Sequence, residues 1–202
     1  MNGFCRKKLF FLLFFFTFSI SLYAKEITPD FPVTIYKEKF AVDYIAYFIP
    51  TLWVGDHNNI SFNSGCTDSP KSGRHCLKFT YDTKKPSLLN WSGICWTHPA
   101  QNTGNINAAL DLSKAKELSL WARGETGGEE LIFKMGGSYG VFSDSGELIF
   151  GPVRLTKEWK KYTFFLKGED LSHISLGFGW IAEKYKNTSS PMIFYLDNVI
   201  IK

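Results

Sequence analysis

The chain has 202 residues, 45% of them hydrophobic and 17% aromatic, with 23 basic against 19 acidic side chains. That length suits one ordinary domain, and a net charge of +4 lacks the clustered cationic footprint that nucleic acid requires. The excess is also local: residues 1–24 carry three of the basic side chains and none of the acidic ones, so the remainder stands near +1.

Residues 1–24 read as a secretory signal peptide. Arg6, Lys7 and Lys8 form a positive start, Leu9 to Phe18 is apolar except for Thr17, and Ala24 precedes Lys25 at the expected cleavage point. The apolar run is short for a membrane span, and an uncleaved anchor is the alternative. No cysteine follows the run, so a lipoprotein anchor is not indicated. Residues 25–202 are then a single domain with no stable membrane span, located in the medium, the periplasm or the cell envelope. Export leaves Cys66, Cys76 and Cys95 in an oxidising compartment. Cys66 and Cys76 flank the turn-like TDSPKSGRH and are the expected disulfide; Cys95 is left as a buried thiol.

The leader at 25–32 gives way to strand character over Val33 to Phe40. Ala41 to Trp53 is apolar and aromatic but broken by Asp43 and Pro50, which predicts an irregular loop on the core. A short strand follows between Asn58 and Gly65. His75 to Asp82 alternates Leu77, Phe79 and Tyr81 against Cys76, Lys78 and Thr80. Asn90 to Thr97 is strand-like, with Trp91, Gly93 and Cys95 on one side and Ile94 and Trp96 on the other, so at most one of its tryptophans is free to meet a ligand.

Leu118 to Gly137 organises the rest. Leu118, Leu120 and Ala122 alternate with Ser119, Trp121 and Arg123; after the Gly127-Gly128 turn, Leu131, Phe133 and Met135 alternate with Ile132, Lys134 and Gly136. If the apolar set faces a core, one outer face shows Trp121, Arg123 and Lys134 together. Beyond it come Tyr139 to Phe142, a DSG turn at 144–146, and strands over Leu148 to Leu155, Trp159 to Leu166, Ile174 to Ile181 and Met192 to Ile201. Nine to twelve short strands with no long helical period predict an all-β sandwich of two antiparallel sheets, a jelly roll. Sequons stand at Asn59, Asn90 and Asn187.

The order of motifs carries a resemblance. A leading strand, Ser72-Gly73-Arg74-His75-Cys76-Leu77, LSLWARG at Leu118 to Gly124, LTKEWKKYTFFL at Leu155 to Leu166 and FYLDNVII at Phe194 to Ile201 follow in succession. The chain from about Ile35 onward thereby resembles the galactose-binding-like jelly rolls that serve as carbohydrate-binding modules in secreted polysaccharide-active proteins. The resemblance implies a structural calcium near the first and last strands. It would be held by Asp197, with Glu38 as a second carboxylate and carbonyls around Gly73 completing the oxygen shell. It also implies polysaccharide as the ligand and a separate glycoside-active enzyme as a partner.

Sugar recognition uses flat aromatic faces against pyranose C–H groups and planar polar groups for the hydroxyls. The expected binding residues are Trp96, Trp121, Arg123, Lys134 and Trp180, the last because Gly177 and Gly179 beside it allow close approach. Trp159 and Trp53 are read as structural. A glycosidase needs two carboxylates across a cleft, and no strand carries alternating acids; GxSxG and HExxH are absent and His57, His75, His98 and His173 are scattered. The sequence therefore reads as a non-catalytic binder. The competing reading is an envelope adhesion or protein–protein module on the same sandwich.

Overall fold

The computed structural model describes residues 26–38, 46–187 and 189–202. The signal peptide and residues 39–45 lie outside the described residues. Among those described, no helix is long and apolar enough to cross a membrane.

Among the described residues, eleven strands form two antiparallel sheets. They are β1 (Val33–Tyr36), β2 (Ile49–Gly55), β3 (Ile60–Cys66), β4 (Cys76–Tyr81), β5 (Trp91–Thr97), β6 (Glu117–Gly124), β7 (Glu130–Gly136), β8 (Glu147–Arg154), β9 (Lys160–Phe165), β10 (Leu176–Glu183) and β11 (Met192–Ile201). The first sheet runs β3-β4-β11-β6-β9, with β1 added on the far half of β11; the second runs β2-β5-β10-β7-β8. From β5 to β11 the chain passes repeatedly from one sheet to the other, as the predicted jelly roll requires.

The alternating sets named from sequence face the shared interior. Leu77, Phe79 and Tyr81 on β4, Ile94 and Trp96 on β5, Leu118, Leu120 and Ala122 on β6, and Leu131, Phe133 and Met135 on β7 are all buried in one core. Its centre is aromatic: Phe79 stacks on Phe194 at 4.8 Å between centroids and meets Trp180 edge-on at 5.2 Å. Such pairs add about 0.5–1.5 kcal/mol each beyond burial.

Three expectations change. First, Ile49–Gly55 is a strand, not a loop. It lies at a sheet edge, where Pro50 interrupts no ladder. Second, β6 and β7 do not pair. β6 lies between β11 and β9 in the first sheet, β7 between β10 and β8 in the second. Gly127 and Gly128, with φ of 81° and 95°, lie in the connection that carries the chain across the sandwich. Third, Cys66 and Cys76 are free thiols. They are register partners of β3 and β4, buried with Tyr195. Burial first, and then the neighbouring Cys66, push the Cys76 thiol up to about 12. The loop between them is held by polar contacts instead. Lys78 Nζ donates to Asp68 Oδ2 at 2.9 Å, and the Ser72 amide donates to Asp197 Oδ2 at 3.1 Å.

Among the sequons, Asn187 is buried and fully engaged. Its amide accepts from the Glu130 N–H at 2.8 Å and donates to the Glu130 and Glu183 carbonyls, both at 3.0 Å.

Candidate carbohydrate-binding face

The two outer faces of the sandwich differ. On the first sheet, Arg123 lies 3.7 Å from the Tyr195 ring centroid and donates to the Asp68 carbonyl at 2.9 Å. Glu125 accepts from the Tyr195 hydroxyl at 2.7 Å and sits 3.8 Å from the Arg123 guanidinium. Lys71 Nζ stands 4.0 Å over Trp121, and Trp159 Nε1 donates to the Ser69 carbonyl at 2.8 Å. Segment 68–71 therefore covers Trp121 and Arg123. These two expected sugar-binding residues belong to a cluster partly covered by its own loop, and the carboxylate partner of Arg123 is Glu125.

Trp96 and Trp180 are further from solvent still. Both have 0% exposure and lie between the sheets. A sugar stacks on an accessible ring face, so neither can serve as a platform. Among the described residues their indole N–H groups meet no hydrogen-bond partner. Gly177 lies against the Phe48 ring, where a Cβ would come within 2.5 Å, so the group it admits is a core side chain.

The second sheet keeps a groove on its outer face. It encloses about 350 Å³ and is lined by Leu52, Val54, Trp91, Cys95, Lys134 and Tyr139, among others. The volume is in the range of ligand clefts, roughly 300–1,000 Å³. Trp91 opens β5 on the outward side and is half-buried. Gly55 makes room for it, since a Cβ there would meet the Trp91 ring at 2.8 Å. Gly93 and Gly179, outward positions on β5 and β10, add no side chain to the floor; a Cβ on Gly179 would meet Cys95 Sγ at 2.8 Å. Burial pushes the Cys95 thiol up to about 11, which makes it an inert part of that floor.

Tyr139 stands at the rim, 78% exposed. Its hydroxyl donates to Glu147 Oε2 at 2.5 Å, and Lys134 Nζ donates to Glu147 Oε1 at 2.8 Å. Burial pulls the Glu147 carboxyl upward, but the two hydrogen bonds outweigh it and hold the group below its ordinary value. The hydrogen bond to Glu147 raises the Tyr139 phenol. Lys134 is thus the one expected residue that lies in the groove. Trp91 was legible as the alternative to Trp96 on the same strand, and Gly93 on its side was the signal. Tyr139 sits in a loop with no periodicity to betray it.

A larger depression of about 490 Å³ near Asp56 and Leu88 offers no comparable chemistry. The Asp56 carboxylate is engaged by the Ser87 hydroxyl and the amides of Leu88, Leu89 and Asn90.

No protein-family model and no curated protein matches the sequence. Solved structures do. A family 30 carbohydrate-binding module gives a TM-score of 0.59 at 14% identity, over 85% of this chain and 87% of its own. The family 30 module of a cellulosomal cellulase of Clostridium thermocellum gives 0.58 at 14%, over 85% and 96%. A family 11 module from Clostridium thermocellum, in complex with a β-1,3-1,4-mixed-linked tetrasaccharide, gives 0.52 at 12%, over 79% and 91%. The chain has the fold of a carbohydrate-binding module. At these identities the likeness concerns the fold, and the site rests on the groove's own geometry.

The two residues expected to hold calcium, Asp197 and Glu38, both accept from amides of the segment after β3. Asp197 is fully buried and accepts from the amides of Ser72 and Asn198, at 3.1 and 2.7 Å. Glu38 accepts from the Arg74 amide at 2.9 Å and lies 3.3 Å from His75 Nδ1; its carboxylate occupies the space a Cβ on Gly73 would fill. Burial pushes the Asp197 carboxyl above its ordinary value against the pull of those amides, and Glu38 adds to the push.

Proposed function

We propose that this protein is a non-catalytic, exported polysaccharide-binding module whose site is the groove on the β2-β5-β10-β7-β8 sheet. The observation that carries the reading is that Trp91 and the rim residue Tyr139 line one groove with Leu52, Val54 and Cys95. A pyranose ring can stack on such aromatics, while Lys134 supplies N–H donors to its hydroxyls. The groove's aromatic lining is carbohydrate chemistry rather than the flat apolar patch of an adhesion surface. Its partner is a glycan chain, with a separate glycoside-active enzyme acting on the same polymer.

The test is titration of the full chain with soluble glucans, mannans, xylans and galactans, followed by intrinsic fluorescence and calorimetry. A β-1,3-1,4-mixed-linked glucan belongs in the panel. Saturable binding that falls at least tenfold in W91A and in Y139A, but little in W121A, is the expected result. Absence of binding to every glycan, with capture of an envelope protein, would shift the reading to adhesion.

A calcium ion fits the Asp197 and Glu38 pair. The two carboxylates hold neighbouring amides of one segment, Ser72 for Asp197 and Arg74 for Glu38, and among the described residues no cationic side chain is bonded to buried Asp197. When bound, the ion would supply the positive charge that buried Asp197 lacks and would tie β11 to the segment after β1. A melting temperature that falls in EDTA and recovers with calcium, but not in D197N, is the expected outcome. An EDTA-insensitive wild type would remove the ion from the account.

A further inference from the structure

Lys134 is the charged residue among those lining the groove, and its ammonium does not stand alone there. Glu147 reaches it at 2.8 Å, and the side chains of the two are 13% and 29% exposed. The same carboxylate holds the Tyr139 hydroxyl through its other oxygen. The backbone is shaped for this arrangement. Gly136 and Gly137 both have positive φ, 70° and 77°, and a Cβ on Gly137 would meet Glu147 Oε1 at 2.4 Å and Cδ at 2.5 Å. The main chain therefore leaves the space in which Glu147 lies.

We infer that Glu147 is a specificity-positioning residue: by pairing with Lys134 and fixing the Tyr139 ring it makes the groove select uncharged polysaccharide chains and reject uronic-acid chains. The inference rests on the groove being the glycan site. An unpaired lysine in a half-buried cleft would attract the carboxylates of a uronate polymer, with an attraction that weakens as salt screens it. With Glu147 in place, the lysine's charge is compensated and a second carboxylate meets a like charge behind it. The lysine keeps N–H groups for sugar hydroxyls, so neutral chains lose nothing by the pairing.

The experiment is calorimetric titration of the full chain, wild type and E147Q, with mixed-linked β-glucan and with polygalacturonate at low and high salt. Glutamine preserves an acceptor for Tyr139 and removes the charge. In the wild type the neutral glucan is expected to bind at least tenfold more tightly than polygalacturonate. In E147Q the ratio should move about tenfold toward polygalacturonate, and the gain should disappear in high salt and in K134M/E147Q. Equal wild-type affinity for both polymers overturns the inference while leaving the groove reading intact, as does an unchanged ratio in a folded E147Q. So does a gain that survives in K134M/E147Q. A wild type that binds neither polymer nor any other glycan overturns both. Near-ultraviolet circular dichroism identifies a misfolded variant, and Y139F then supplies a second measure: neutral binding weakened with the ratio unchanged.

Discussion

At the scale of single residues, the six tryptophans have three different fates, and two on one strand show the contrast. Trp91 and Trp96 are both on β5, five positions apart and therefore on opposite faces. Trp96 is wedged against Phe79 and Phe178 at 6.2 and 5.2 Å, whereas Trp91 borders the groove. W96A should remove a core side chain and cost about 3–5 kcal/mol in chemical denaturation. W91A should cost far less, because a half-buried ring leaves no closed cavity, yet abolish glycan binding. Calorimetry and urea unfolding of the two variants separate the roles; a W91A protein that binds normally would remove the aromatic platform. The thiols give a second residue-level expectation. Alkylation requires the thiolate, and burial raises Cys95 to about 11 from an ordinary value of 9.0. At pH 8 the folded protein should therefore leave Cys95 unmodified by iodoacetamide, with labelling only as pH climbs toward 11 or denaturant opens the sandwich. Peptide mapping checks this, and rapid native labelling at pH 8 would contradict it.

At the scale of elements, periodicity revealed strands and their inward sides but not their sheet membership. LSLWARG and LIFKMG read as adjacent strands because both alternate and a glycine pair separates them. In a sandwich both sheets turn apolar faces to one core, so two strands in opposite sheets carry the same pattern as two in a hairpin. Trp121 and Lys134 thus each alternate with the core set of their own strand and point away from each other in space. The same reasoning explains why Trp180 was misplaced: Gly177 and Gly179 were visible, but they lie on the side opposite Trp180. What alternation could establish, the core of β4, β5, β6 and β7, it established correctly. The β6–β7 crossing has its own requirement. The Glu129 carboxylate is 4% exposed, accepts from the Thr126 amide and hydroxyl at 2.8 and 2.9 Å, and lies where a Cβ on Gly124 would sit, 1.6 Å from Oε2. G124A must drive that carboxylate from its partners, at a cost of about 2–4 kcal/mol. Urea unfolding should show a lower midpoint with unchanged slope; a G124A protein as stable as wild type would mean the crossing tolerates another path.

For the whole molecule, the two sheets divide the work between them. One outer face is covered over Trp121 and Arg123 by segment 68–71, through Lys71, Asp68 and Ser69, and the other retains a groove with an aromatic at its rim. A ligand bound in that groove touches side chains from β2, β5 and β7 and the loop after β7. These elements come from sequence positions far apart, and unfolding scatters them. Binding is therefore confined to the native state and must raise its stability by mass action, by about 2.7 kcal/mol at a free ligand concentration of 100 Kd. For a domain of this size that corresponds to a rise in Tm of roughly 5–10 °C. A thermal scan with saturating mixed-linked glucan should show the rise in wild type and in W121A, whose ring lies on the covered face, and none in W91A. An equal rise in all three would place the glycan away from the groove. No rise in a protein that still binds by calorimetry would mean that the unfolded chain holds the glycan as well as the folded one does.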